Sequence, residues 1–146
     1  MGRVRIQTET FDPGAELDGF GAGEDVGAVV SFTGVVRGGG RLARMEIEHY
    51  PGMTERAVAE IVAQAEDRWG LAECLVIHRH GPLPPGERIM MVATASRHRA
   101  SAFEAAEYLM DYLKSRAPFW KKEVGTDGGV SWVEAKDEDE DALERW

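Results

Sequence analysis

Basic side chains concentrate in one stretch of this 146-residue chain, residues 97–122. Its six basic residues are Arg97, Arg99, Lys114, Arg116, Lys121 and Lys122. Three acids accompany them, so the stretch carries +3 and leaves −12 for the remainder of a chain whose formal net charge is −9. Because the rest of the chain already supplies the charge that solubility needs, a locally basic segment indicates an anion-binding site.

The two ends of this stretch suggest different chemistry. His98 and Arg99 stand where a helix is predicted to begin, and the helix dipole disfavours cations there unless an anion lies between them. Lys114 stands near the helix end, where cations are favoured anyway. Lys121 and Lys122 point to opposite faces of a predicted strand, and periodicity does not choose between them. An arginine suits a bidentate grip on phosphate, whereas a lysine among other cations has a lowered pKa and can transfer protons.

Arg37 is a further candidate for anion binding. It ends an apolar run and precedes three glycines, residues 38–40. Glycines let backbone N–H groups approach an oxyanion, but these lack the GxxxxGK[ST] spacing of a phosphate loop and no helical pattern follows at once. A hairpin loop is therefore predicted here, with Arg37 as its functional residue.

Metal and thiol chemistry are not expected from this sequence. His78 and His80 share one face of a predicted strand, but no carboxylate or cysteine stands at matching spacing, so surface or interface histidines are predicted. The single cysteine, Cys74, excludes an intramolecular disulfide, and its apolar surroundings favour a small buried residue over a nucleophile. We expect neither a metal nor an organic cofactor.

Length and composition limit the class of protein. With 43% apolar residues the chain can bury one core, so residues 1–146 are expected to form one domain. A pI near 4.9 argues against general binding of nucleic acid or of an anionic membrane. No run approaches the roughly 18 apolar residues that span a bilayer, and a soluble cytoplasmic protein is expected. The acidic tail, about residues 136–146, is predicted to be solvated and partly helical.

Periodicity and turn residues predict the elements that must position these groups. Alternating apolar and polar residues predict strands near residues 4–8, 45–50, 75–80 and 88–96. Residues 26–36 are almost continuously apolar and β-branched, as in a central strand covered on both faces. Amphipathic spacing predicts a helix over residues 54–69, and Asp12 with Pro13 predicts a short helix ending near residue 20.

The basic stretch is itself predicted to be mainly helical. Its core-facing residues are predicted to be Phe103, Ala106, Met110 and Leu113, and Pro118 halts the helix. A turn at residues 126–129 then predicts a hairpin. The resulting order of strands, helix, strands, helix and hairpin indicates an α+β class with mostly antiparallel pairing, because several connections are too short for parallel crossovers. The absence of a glycine-rich dinucleotide fingerprint excludes a Rossmann fold.

Four separated strings resemble the catalytic large subunit of molybdopterin synthase and follow that family's order. They are SFTGVVR at residues 31–37, EHYPGM at 48–53, SRHRASAFEA at 96–105 and MDYLKSRAPFWKKE at 110–123. The string WVEA at residues 132–135 is also family-like. Together these strings are spread over most of the chain, from residue 31 to residue 135, and the segment LKSRAPFWK is specific by itself.

The resemblance implies an α/β-hammerhead-like α+β fold, with a mostly antiparallel sheet, two main helices and a C-terminal hairpin. It also implies a homodimer within a heterotetramer, completed by two small ubiquitin-like sulfur-carrier subunits. Each carrier inserts a C-terminal Gly-Gly thiocarboxylate into the large subunit. Sulfur then passes to cyclic pyranopterin monophosphate and builds the dithiolene of molybdopterin, with no metal or organic cofactor.

The family's site residues can be carried over position by position. The resemblance implies two catalytic lysines, Lys114 and Lys121. It implies five substrate-binding residues, which are Arg37, His98, Arg99, Lys122 and Glu123. His98 and Arg99 act either within one chain or across the dimer. Two alternatives remain: a non-catalytic anion-binding regulatory module, which does not need the two lysines, and a structural partner whose basic stretch docks an acidic protein.

Overall fold

The computed structural model describes residues 2–133 and 137–146. Its strands are β1 (Arg3–Gln7), β2 (Ala28–Val35), β3 (Leu42–His49), β4 (Glu73–Arg79), β5 (Gly81–Leu83), β6 (Arg88–Ser96), β7 (Phe119–Gly125) and β8 (Val130–Trp132). Its helices are α1 (Pro13–Leu17), α2 (Met53–Trp69), α3 (Arg99–Ser115) and α4 (Asp137–Ala142), and a 3₁₀ turn follows at Leu143–Arg145. The predicted α+β class, with two main helices and a hairpin near the C-terminus, is confirmed.

The first sheet has the order β1-β4-β6-β2, and only the β1–β4 pair is parallel. Its central strands β4 and β6 are buried along almost their whole length, as their apolar sequences require. Helices α2 and α3 pack on one face, where Val62 and Leu109 meet Val76 and Val92. Phe11 and other apolar residues from the segment around α1 cover the opposite face. The sheet is thus the middle of three layers.

Strand β2 is not the central strand that its apolar sequence predicts. It pairs only with β6 among the described residues and forms an edge of the first sheet. Val29, Phe32 and Val35 are 46%, 45% and 50% exposed. The prediction was wrong because an apolar, β-branched run indicates a strand but does not fix the position of that strand within its sheet.

The second sheet has the order β5-β3-β7-β8 and is antiparallel throughout. Its β7–β8 pair confirms the predicted hairpin, with residues 134–136 outside the described part of the chain. The glycines at 38–40 do not form a hairpin loop, because β2 and β3 lie in different sheets. Instead, the loop that begins at Arg37 carries the chain from one sheet to the other.

Helix α2 agrees with its predicted bounds, and Gly70 ends it in the left-handed conformation. Helix α3 faces the core with Ala105, Ala106, Leu109 and Leu113, among others. The prediction was wrong for Phe103, which is 61% exposed. Small alanines occupy the buried stripe here, since they let the helix approach the sheet closely, and the larger apolar residue lies outside it.

The acidic tail is helical, as predicted, but its end is docked on the protein. The Trp146 indole N–H donates to Asp111 at 2.7 Å and the ring packs edge-on against Trp69 and Tyr108. Arg145 forms ion pairs with Glu107 and Asp111. The terminal residues therefore cover the seam between α2 and α3, while the acids of α4 remain mostly exposed. None of the described helices combines the length and apolarity that crossing a membrane requires.

Candidate functional site

A cavity of about 700 Å³ lies between the loop that links the two sheets and the β7–β8 hairpin. Two of the predicted site residues, Arg37 and Glu123, line it together. The wall also contains Arg41 and Asp127, neither of which the sequence predicted as a site residue. Arg41 could have been found, because it immediately follows the glycines after Arg37. The cavity is therefore lined by two guanidinium groups and two carboxylates.

The two lysines of β7 lie on opposite faces of the strand, and the structure shows which of them faces the first sheet. Lys121 stands opposite Ile47 of β3, on the same face of β7 as Phe119 and Glu123. Its face is the one that packs toward the first sheet, since Ile47 and Phe119 belong to the apolar cluster between the two sheets. Lys121 therefore lies on the inner side of β7, two residues before Glu123 of the cavity wall.

Lys122 lies on the outer side of β7, where other groups hold it. Its Nζ atom is 3.5 Å from the Glu46 carboxylate and 5.4 Å from the centre of the Trp132 ring. A hydrogen bond from Arg44 holds the pKa of Glu46 below its ordinary value, and the charge of Lys122 acts in the same direction. These contacts hold the Lys122 side chain on the face of β7 opposite to that of Lys121.

His78 is buried behind β7 inside the chain, whereas the sequence predicts a surface or interface histidine. It is 4% exposed, and its ring stacks on Phe119 with the centroids 3.7 Å apart and the planes at 14°. Burial lowers the pKa of His78 to about 3, and the positive charge of Lys121 contributes in the same direction. His80 is partly exposed, and its ring lies 4.2 Å from that of His49. The prediction failed for His78 because β7 of the second sheet covers the end of β4.

Lys114 stands in the last turn of α3 and is exposed. Arg116, just beyond the helix, donates to both oxygens of the Glu140 carboxylate, at 2.8 and 3.2 Å. Residues 116–118 then lead directly into β7. Lys114 on α3 and Lys121 on β7 thus lie on consecutive elements, which residues 116–118 connect. The contact between Arg116 and Glu140 of α4 holds this connection.

His98 and Arg99 lie apart from this group in the single chain. His98 lines a second cavity of about 250 Å³ together with Arg97, Glu24 and Asp25, and this cavity shares no lining residue with the first. His98 occupies the N-cap position of α3 but makes no side-chain capping hydrogen bond, and both residues are exposed. One chain therefore brings Arg37, Glu123 and the strand of Lys121 together, but not His98 and Arg99.

Cys74 is fully buried, as predicted, and burial raises the pKa of its thiol to about 12. Within residues 2–133 and 137–146, no group of three or more His, Cys, Asp or Glu residues is arranged to hold a metal ion.

A family model described as MoaE protein matches residues 6–116, which is well over half of the chain. The chain belongs to the MoaE family. A curated relative in this group, the molybdopterin synthase catalytic subunit of Cereibacter sphaeroides, is 64% identical over 146 residues and covers 99% of both chains. The family match, over residues 6–116 of this chain, ends between Lys114 and Lys121. It therefore includes helix α3 and stops just before β7.

Solved structures agree with the MoaE assignment. A molybdopterin biosynthesis MoaE protein from Burkholderia ambifaria aligns with a TM-score of 0.85 and 48% identity, over 100% of this chain and 98% of that one. A structure from Helicobacter pylori, described as a complex of subunits 1 and 2 of molybdopterin-converting factor, aligns with a TM-score of 0.75 over 92% and 90% of the chains. At 20% identity, the second likeness shows the fold alone.

Proposed function

We propose that the chain is the sulfur-transferring catalytic subunit of a molybdopterin synthase, acting in molybdenum cofactor biosynthesis. Its substrate is cyclic pyranopterin monophosphate, and its sulfur comes from the C-terminal thiocarboxylate of a small ubiquitin-like carrier protein ending in Gly-Gly. The MoaE family match and the 64% identity to a molybdopterin synthase catalytic subunit support this activity. A cytoplasmic location is part of the same proposal.

The observation that carries the proposal is the cavity shared by Arg37 and Glu123, beside the strand that bears Lys121. A cyclic phosphate and a thiocarboxylate are both anions, and a cavity with two guanidinium groups can hold them by charge-assisted hydrogen bonds. Four of its lining residues are glycines, which leave room for a narrow peptide tail: Gly38, Gly39, Gly125 and Gly129.

Within this proposal, the arginines hold substrate and the lysines move protons. Arg37 and Arg41 bind the phosphate, since a guanidinium presents paired donors to two oxygens. Opening the cyclic phosphate and eliminating water require proton transfers, which Lys121 and Lys114 supply. Glu123 shares the cavity wall with Arg37 and orients the substrate there.

The test is a reconstituted assay with a thiocarboxylated carrier and the cyclic pyranopterin. Lys121→Ala and Lys114→Ala are each expected to lower turnover by about 10²-fold or more, the range for loss of a general acid or base. Arg56→Ala, which removes an exposed cation from α2, is the control and should leave turnover unchanged. Retention of full turnover by both lysine variants would show that the catalytic assignment is wrong.

The proposal includes a homodimer, for which β2 offers a suitable surface. Residues 28–35 contain no charge and no proline, the two features that usually protect an exposed strand edge from pairing. Two copies of β2 running antiparallel would extend the first sheet across both chains, with Val29, Phe32 and Val35 covered. An isologous contact of this type explains why the edge is apolar.

Antiparallel pairing of β2 also unites the two separated groups of site residues. Ala28 at one end of β2 pairs with Ser96, which closely precedes His98, while Val35 at the other end leads to Arg37. A two-fold axis across β2 brings the Ala28 end of one chain to the Val35 end of its partner. We therefore assign His98 and Arg99 to the site of the neighbouring chain.

A further inference from the structure

We propose that His78 is a positioning residue for Lys121, which it holds in place through its imidazole ring and through the stacked ring of Phe119. The proposal rests on the proposed function, because it takes Lys121 as catalytic. Neither the composition of the cavity nor the resemblance to molybdopterin synthases singles out this histidine.

Four rings connect the first sheet to the second at the beginning of β7. His78 of β4 stacks on Phe119 of β7, and Phe119 stands directly opposite His49 in the β3–β7 register, with 6.3 Å between their centroids. The His49 ring in turn lies 4.2 Å from that of His80. Face-to-face and tilted ring pairs of this kind add stabilisation beyond their buried area. The start of β7 is thereby fixed against β4.

The orientation of the His78 ring determines what it can offer to a neighbour. Its Nδ1 atom lies 2.8 Å from the backbone carbonyl oxygen of Arg79, and a carbonyl only accepts, so Nδ1 carries the proton. The Arg79 segment is itself held, because its guanidinium donates to the carbonyl oxygens of Thr8 and Arg88. The buried ring is neutral, and its Nε2 atom is left as a hydrogen-bond acceptor.

The proposal pairs that acceptor with the ammonium group of Lys121. It follows Phe119 by two residues on the same face of β7, about 7 Å further along the strand. The two side chains are close enough for the charge of Lys121 to contribute to lowering the pKa of His78. The other titratable groups around this face are Glu123 on β7, His49 on β3 and His80 just beyond β4.

A neutral acceptor suits an ammonium donor, whereas a charged ring would repel it. Burial keeps His78 neutral well below neutral pH, so the ring remains an acceptor throughout the range in which the enzyme works. In this proposal the Lys121 side chain is held by the start of β7 and by the imidazole. Holding a proton donor in this way supports transfer to a substrate in the cavity.

Two substitutions in the complete complex with its carrier separate the acceptor from the packing. His78→Phe keeps a ring to stack on Phe119 but removes the acceptor, whereas His78→Gln supplies an acceptor oxygen near the former Nε2 position. We expect His78→Phe to lower kcat about tenfold and to move the alkaline limb of the pH–rate profile to lower pH, because the Lys121 ammonium loses a stabilising partner. His78→Gln should restore most of kcat and the position of that limb.

Ile77→Val is the matched control, since it alters the neighbouring buried residue on the opposite face of the same strand. It should leave the pH–rate profile unchanged. If folded His78→Phe protein retains the kcat and the pH profile of the wild type, or if His78→Gln behaves like His78→Phe, the positioning role is wrong. Should His78→Phe fail to fold, His78→Met against His78→Gln makes the same comparison.

A measurement without turnover distinguishes this inference from the proposed function. The pKa of Lys121 can be followed by NMR of isotope-labelled methyl groups introduced on its amine, in wild type and in His78→Phe. A lower pKa in the variant supports the inference even if no sulfur transfer is detected. An equal pKa overturns it even if the wild type proves to be an active synthase.

Discussion

The two ends of helix α3 differ in how fully one chain completes them. At the N-terminal end, His98 caps the helix without a side-chain hydrogen bond, no acid occupies the first turn, and both His98 and Arg99 are exposed. At the C-terminal end, Arg116 is held by Glu140 and the chain returns into β7, where the His78–Phe119 stack fixes it. Contacts within one chain thus hold the lysine end, at Lys114 and Lys121, whereas the proposed dimer would bring a second chain to the histidine end, at His98 and Arg99.

Mixed dimers test this difference most strongly. Arg99→Ala and Lys121→Ala should each lower turnover by about 10²-fold, because one removes a phosphate contact and the other a proton donor. If the two residues serve one site from different chains, re-formed hybrids contain one intact site, and an equal mixture should recover about one quarter of wild-type turnover. The measurement is steady-state turnover after the two variants are unfolded and refolded together.

The same mixture also has an outcome that would contradict sites shared between two chains. If both residues belonged to the same chain's site, every chain in the mixture would carry one defect, and turnover would stay at the level of the separate variants. Val29→Lys, which places a charge on the free edge of β2, should abolish recovery and convert the dimer to a monomer by sedimentation. Recovery by this variant would refute pairing through β2.

The pH dependence of the free energy of unfolding tests the burial of His78 behind β7. The pKa of His78 is lowered to about 3 from its ordinary value of 6.5. Between these two pH values, the imidazole is therefore protonated in the unfolded chain but neutral in the folded chain. The free energy of unfolding should therefore fall as pH drops below 6.5, by up to about 1.4 kcal/mol for each pH unit, until about pH 3. Urea unfolding of wild type and His78→Phe from pH 7 to 4 checks this, and the variant should show a shallower slope.

Trp146 packs against α2 and against the C-terminal half of α3. Trp146→Ala removes the ring contacts with Trp69 and Tyr108 and the hydrogen bond to Asp111. For a partly buried tryptophan, we expect the free energy of unfolding to fall by about 2 kcal/mol. Thermal unfolding provides the measurement. An unchanged melting temperature would mean that the docked tail adds nothing to the fold.

Lys122 should show the smallest effect. Its ion pair with Glu46 and its position over Trp132 are partly exposed interactions, worth about 0–1 kcal/mol. Lys122→Met should therefore change turnover only a few-fold, in contrast to Lys121→Ala. Equal losses for the two variants in the carrier assay would show that both faces of β7 serve the reaction.

The sequence predicted those features that depend on local pattern. Period-two alternation, amphipathic spacing and capping residues placed the strands and α2, and the turn at residues 126–129 placed the hairpin. Alternation also predicted that Lys121 and Lys122 point apart. These predictions succeeded because each depends on neighbours within a few residues.

What the sequence could not predict depends on contacts between distant elements. The burial of His78 follows from β7 packing over the end of β4, and the exposure of β2 follows from its position at the edge of the sheet. Phe103 was misplaced because alanines, not the largest apolar residue, form the buried stripe of α3. Arg41 directly follows the glycines after Arg37, a signal that the sequence offered, but its place in the wall of the same cavity depends on how the loop folds.

The buried thiol of Cys74 limits the route that sulfur can take. It is the single cysteine of the chain, and burial raises its pKa to about 12, so almost no thiolate forms at neutral pH. A persulfide relay requires an accessible thiolate on the protein, and this chain offers none. In the proposed reaction, sulfur would therefore pass from the carrier to the pterin without resting on a cysteine of the catalytic subunit, and its delivery would not depend on the redox state of Cys74.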